Sequence, residues 1–145
     1  MLQVQGLSKK YGEIVVAHDI AFTLDTGHCL GVIGPNGAGK SSLFNLITGV
    51  AAADAGSIRL DGIELTRKAA HQRARLGVAR AFQIPQPFPT LTVFENVLAP
   101  ATFGAGLDGA RAAVRAQAAL QRSGLAALGA EPAGRLPLLD RKRLE

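Results

Sequence analysis

The chain has 145 residues, 48% hydrophobic and 19% charged, which is ample for a core and far too apolar for intrinsic disorder. Its 17 glycines follow no three-residue period and Cys29 is the only cysteine, so collagen-like and disulfide-scaffold classes are excluded. The formal net charge is +5, but the basic residues are scattered and aromatics make up only 5%. That pattern offers no stacking platform beside cations, and no nucleic-acid partner is predicted. The densest basic run, Arg141-Lys142-Arg143, lies at the C-terminal end. The opening MLQVQGLSKKYGE lacks the apolar stretch of a signal peptide. Val97 to Leu107 is too short and too rich in Gly and Pro to span a bilayer. The expectation is a soluble, cytoplasmic protein, which a lone cysteine suits.

In chain order, Leu2-Gln3-Val4, Glu13 to Val16 and Ile20 to Leu24 read as strands separated by turns at Tyr11-Gly12 and Asp25-Thr26-Gly27. Cys29-Leu30-Gly31-Val32-Ile33 is a short apolar run of the kind a doubly buried strand requires. A glycine-dense loop, Gly34 to Gly39, follows. A helix is predicted from Ser41 to about Gly49, with Leu43, Phe44, Leu46 and Ile47 as its buried stripe. Gly56 to Leu65 reads as two strands turning at Asp61-Gly62. Arg67 to Arg75 is predicted helical and Gly77 to Gln83 a further strand. Pro85, Pro87 and Pro89 break regular structure. Thr92 caps a helix with Glu95 as its reciprocal partner. Beyond Pro100, the Ala- and Arg-rich stretch Asp108 to Ser123 predicts a helix stopped at Gly124, with Ala113, Val114, Ala116 and Leu120 as a weak apolar face. Residues 1–96 thus read as an α/β core and 97–145 as a helical subdomain.

Gly34-Pro35-Asn36-Gly37-Ala38-Gly39-Lys40-Ser41 matches G-x-x-x-x-G-K-[ST] in full. Glycine at 37 and 39 permits positive φ and close approach, so backbone N–H groups can converge on phosphate oxygens. The helix that follows aims its positive end at the same point. Lys40 supplies a charge for the terminal phosphates, the Ser41 hydroxyl can ligate Mg²⁺, and Ser42 adds a donor. A strand before the loop and an amphipathic helix after it are the context this motif demands.

This wording resembles the ATP-binding domain of ABC transporters, and the resemblance runs over almost the whole chain. It implies a P-loop NTPase (RecA-like) core with an antiparallel β front and a helical subdomain, ATP and Mg²⁺ as ligands, and ATPase activity. It places Tyr11, in Ser8-Lys9-Lys10-Tyr11-Gly12, as the aromatic that stacks on adenine; closing a hairpin turn is the plainer role for that ring. Arg75 to Gln83 resembles the strand leading into the family's Q-loop, which makes Gln83 its glutamine, near Mg²⁺ and water, with Gln86 as the competing position. Pro85, Pro87, Phe88 and Pro89 would shape the loop facing the membrane subunit. Arg73 to Arg80, Phe88 to Val97 and Arg141 to Glu145 look like importers of branched-chain and other hydrophobic amino acids, although lipopolysaccharide-export ATPases share parts of the pattern. The implied partners are transmembrane permease subunits and a second ATPase subunit, so the chain would lie on the inner face of the membrane through its partners.

Two departures accompany the resemblance. Leu136-Pro137-Leu138-Leu139-Asp140 stands where the family's signature is expected, without its Ser and paired glycines; a degenerate signature and a simple loop-to-helix join at Pro137 both fit. The chain also reaches Glu145 before the Walker B strand with its aspartate and glutamate, and before the switch histidine. His18, His28 and His71 all precede Gln83 and do not match that histidine. A general base contributes about 10²–10⁴-fold, so the expectation is a chain that binds nucleotide better than it hydrolyses it, with an open sheet edge. A non-catalytic nucleotide-binding or interaction module, and a non-functional truncation, are the alternative readings.

Overall fold

Gly12 and Glu13 close a tight hairpin between β1 (Leu2–Tyr11) and β2 (Ile14–Leu24), with Tyr11 opposite Ile14. The two short runs expected on either side of residue 18 are one continuous strand. Along β1 the simple alternation fails: Val4 and Leu7 are both buried although three residues apart. Val4 pairs with Phe22 and Leu7 with Ile20, so β1 carries one extra residue there, and this bulge turns both side chains to the same face. The Asp61-Gly62 turn joins β3 (Ala55–Leu60) to β4 (Ile63–Glu64), both turn residues having positive φ, 49° and 80°. The computed structural model describes residues 1–145 and contains one four-stranded antiparallel sheet, ordered β2-β1-β3-β4.

One helix, α1 (Lys40–Thr48), lies on this sheet. Its Leu43 and Leu46 join Val4, Leu7, Ala17, Ile58 and Leu65 in the core of the first unit. Phe44, expected in the stripe, is 46% exposed, because the buried positions are three apart and Phe44 falls between them. Gly49 ends α1 in the left-handed region, and a short helix α2 (Ala70–Arg75) completes this part.

Two expected strands do not form. Residues 28–35 and 76–88 have no strand pairing, and Ile33 is 97% exposed. An apolar run becomes a buried parallel strand only between neighbouring strands that satisfy its N–H and C=O groups. The sheet here pairs its four strands without either run.

The chain divides into two compact units, Met1–Val78 and Ala79–Glu145; the division expected after residue 96 falls inside α3 (Val93–Ala99). In the second unit the Thr92 hydroxyl accepts the Glu95 N–H at 3.1 Å, and the Glu95 carboxylate accepts the Thr92 N–H at 2.8 Å. That exchange is the reciprocal cap expected. After α3, Pro100–Gly104 forms a π-helical turn whose Pro100 carbonyl accepts the Ala105 N–H. Helix α4 (Gly109–Ser123) is capped by the Asp108 carboxylate and stopped at Gly124. It buries Ala112, Ala116 and Leu120, while Val114 is 72% exposed. The buried stripe repeats every four residues, and Val114 points away from it. Val93, Leu120, Leu125 and Leu136 make the second core. Pro137 leads straight into α5 (Leu138–Leu144), with Leu138 and Leu139 exposed, as in a loop-to-helix join.

Candidate functional site

The loop of residues 34–39 turns sharply rather than running extended. Ala38 N–H donates to the Pro35 carbonyl at 3.3 Å, and Gly37 and Gly39 have φ of 85° and 83°. Gly39 is the N-cap of α1, and no side chain caps that end. The N–H groups of Lys40, Ser41 and Ser42 form the helix's first turn, which makes no intrahelical bonds. They are the positive end of a nine-residue helix's dipole. Lys40 Nζ folds back over the loop, 2.6 Å from each of the Gly34 and Pro35 carbonyl oxygens. An ammonium bound only by two exposed carbonyls can transfer to a stronger anionic acceptor.

Why glycine is needed at 39 follows from β2. Lys9 pairs with Ala17 and Lys10 with Val15, which leaves Val16 as a bulge. A Cβ at Gly39 would sit 2.3 Å from the Val16 carbonyl oxygen. The bulged strand and the end of the phosphate loop are therefore in direct contact, and no other residue fits. Tyr11, the partner of Ile14, closes the same end of this hairpin. Tyr11 is 53% exposed, with Lys9 Nζ 5.1 Å from the centre of its ring. Lys9 is in turn 2.6 Å from the Asp54 carboxylate, which that bond and the Lys10 N–H hold below the usual carboxylate range.

The far end of α1 holds a residue whose importance sequence reasoning missed. Arg73 is 2% exposed. Its guanidinium donates to the Leu46, Ile47, Thr66 and Lys68 carbonyls at 2.6, 2.9, 2.9 and 2.8 Å. At the end of α1 it joins the Gly49 N–H on the Leu46 carbonyl, serves the Ile47 carbonyl, and places positive charge at the negative end of the dipole. Burial lowers its pKa. All four acceptors are backbone atoms, so no sequence signal could have revealed them.

Of the other expected residues, Gln83 and Gln86 are exposed and lie in the second unit, as does the proline-rich loop. Asn96 fastens that loop: its amide oxygen accepts the Phe88 N–H at 2.8 Å and its NH₂ donates to the Phe88 carbonyl at 3.1 Å. His18, His28 and His71 are exposed. No three His, Cys, Asp or Glu side chains gather as metal ligands, and no helix is long and apolar enough to cross a membrane.

Comparison with known proteins gives this geometry a lineage. The family model for ABC transporters matches residues 17–140. The chain is 40% identical over 105 residues to a probable branched-chain amino acid transport ATP-binding protein of Archaeoglobus fulgidus, covering 72% of this chain and 41% of that one. It is 41% identical over 97 residues to a Nod factor export ATP-binding protein of Paraburkholderia xenovorans, covering 67% and 31%. Among solved structures, an ATP-binding cassette of an ABC transporter superposes with a TM-score of 0.80 at 28% identity, covering 99% of this chain and 63% of that one. The chain thus spans less than half the length of the curated relatives it matches.

Proposed function

The chain belongs to the ABC transporter family, and from that premise we propose that it is part of an ATP-binding subunit. The loop Gly34 to Ser42 takes the phosphates of ATP. Backbone N–H groups of the first turn of α1 surround the anion, the Lys40 ammonium leaves its carbonyls for the terminal phosphate oxygens, and Ser42 adds a donor. Tyr11 covers one face of the adenine. A sparse protein donor set suits Mg²⁺, which carries much of its shell as water and phosphate oxygens. The Ser41 hydroxyl would hold it, and the ion would neutralise charge on the phosphates.

The observation that carries this reading is the Gly39–Val16 contact. It supports a loop held by the fold in a curled, left-handed-glycine conformation, rather than one curled only by its ligand. The test is ATP affinity of the wild type against Lys40→Ala. Loss of a charge-assisted contact costs about 1.5–3 kcal/mol, so a drop of roughly 10- to 100-fold is expected. Equal affinity removes the claim.

Coupling to permease subunits and a second ATPase subunit, with ATP hydrolysis as the driving reaction, follows from the family. For the cargo, branched-chain or other hydrophobic amino acids are supported by the wording of residues 73–80 and 88–97 and by the Archaeoglobus relative. The Nod factor relative favours export as the competing direction. Disrupting the gene in its host lowers leucine uptake under the import reading; unchanged uptake turns the assignment to export.

A further inference from the structure

We infer that Lys9, anchored by Asp54, is a positioning residue that orients the Tyr11 ring for a purine; this rests on the reading of Tyr11 as the adenine platform. Residues 9 and 11 lie on the same face of β1, two apart along the strand. The Lys9 ammonium stands 5.1 Å from the Tyr11 ring centre, within the range at which a cation holds an aromatic face. The lysine is itself fixed. Its side chain is only 16% exposed, and Nζ is 2.6 Å from Asp54 Oδ1. Asp54 Oδ2 accepts the Lys10 N–H at 2.8 Å, and the Asp54 N–H donates to the Ser8 carbonyl at 2.9 Å. Three consecutive residues of β1 therefore hold Asp54 just before β3, and Asp54 holds the cation. With one ring face taken by Lys9, the exposed remainder of Tyr11 is presented to ligand in a set rotamer. A ring already ordered loses less freedom on binding, which is worth roughly two- to tenfold in affinity per immobilised side chain.

Tyr11 is the only tyrosine and the chain has no tryptophan, so intrinsic fluorescence reports this ring alone. The experiment compares ATP with tripolyphosphate, which has no base, on the full chain. Lys9→Gln is expected to weaken ATP about two- to tenfold, leave tripolyphosphate unchanged, and lower the steady-state anisotropy of Tyr11. Lys9→Arg, which keeps a cation over the ring, restores all three. Asp54→Asn shifts them in the same direction as Lys9→Gln and carries the test should that variant not fold. Equal losses for ATP and tripolyphosphate would mean Lys9 merely ties β1 to the loop before β3, and would overturn the inference. So would Lys9→Gln with wild-type ATP affinity and anisotropy while Tyr11→Ala weakens ATP. A Tyr11→Ala chain that binds ATP as the wild type does removes the stacking reading, and this one with it.

Discussion

Replacing Arg73 by Met tests whether the end of α1 depends on donated bonds or on filled space. Methionine keeps much of the apolar stem and removes the guanidinium, so the Leu46, Ile47, Thr66 and Lys68 carbonyls lose their shared donor. The Leu46 bond is fully buried; its carbonyl keeps the Gly49 N–H at 3.3 Å, so what is lost there is one charge-assisted bond, worth about 1.5–3 kcal/mol. The other three bonds are part-buried, so water replaces some of what they supplied. Offsetting this, the variant no longer desolvates a charge, which burial disfavours in Arg73. The balance is a loss of about 2–4 kcal/mol, a large part of the ~5–15 kcal/mol that holds a domain together. At ~2–4 °C per kcal/mol, thermal unfolding followed by circular dichroism should fall by about 5–15 °C. Arg73→Lys keeps the charge and can reach one or two carbonyls, so it should melt between the two. An Arg73→Met chain within ~2 °C of the wild type refutes the reasoning. A lysine variant no more stable than the methionine one would show that the bonds are not what matters.

Gly39→Ala and Gly37→Ala separate crowding from backbone strain. Both glycines have positive φ, but a Cβ at 37 meets nothing within 4 Å whereas one at 39 lies 2.3 Å from the Val16 oxygen. Gly37→Ala should cost ~1 kcal/mol of stability, and Gly39→Ala several-fold more in denaturant titration; equal losses would contradict the packing of the loop on β2. Glu64 supplies a pH test. Its carboxylate accepts the Thr66 hydroxyl and N–H and the Arg59 guanidinium. These bonds, the hydroxyl foremost, pull its pKa from 4.5 to about 2. Because the folded pKa is depressed, the stabilisation is present above 4.5 and is lost as pH falls from there toward about 2. Glu64→Gln should therefore be less stable than the wild type at neutral pH, with the gap closing over that window. A gap that persists unchanged at low pH removes the carboxylate as its cause.

What could be seen in the sequence was whatever a few adjacent residues determine. Gly12 and Asp61-Gly62 set hairpins whose strands are nearly contiguous in the chain. Thr92 with Glu95 caps a helix across three residues, a span over which residue type fixes the hydrogen bond. The runs at 29–33 and 77–83 look equally legible and were not. Apolar and β-branched content states that a segment would accept a strand's burial, yet pairing is made by another segment, and the run itself holds no record of whether one lies alongside. In α4 the failure was of phase. Alanine at 110, 112, 113, 116, 118 and 119 is compatible with several buried stripes, and only Leu120 and Leu125 in the folded unit choose the one that excludes Val114.

The candidate site divides along the same line. Its phosphate loop is written in glycines because the work is done by backbone, and removing side chains is the one way a sequence can declare that backbone must come close. The support around the loop has no such signature. Arg73 reaches carbonyls, which every residue carries. Lys9 meets Asp54 across 45 positions in the chain, and the bulge that brings Val16 against Gly39 is a property of strand register, not of valine. These contacts hold the two ends of α1 and the Tyr11 ring. If they also set how tightly the loop closes on phosphate, then substitutions at Arg73, which touches no ligand, will change ATP and tripolyphosphate affinity together. Lys9 should change ATP alone. That difference in pattern separates residues that hold the helix from one that presents the ring.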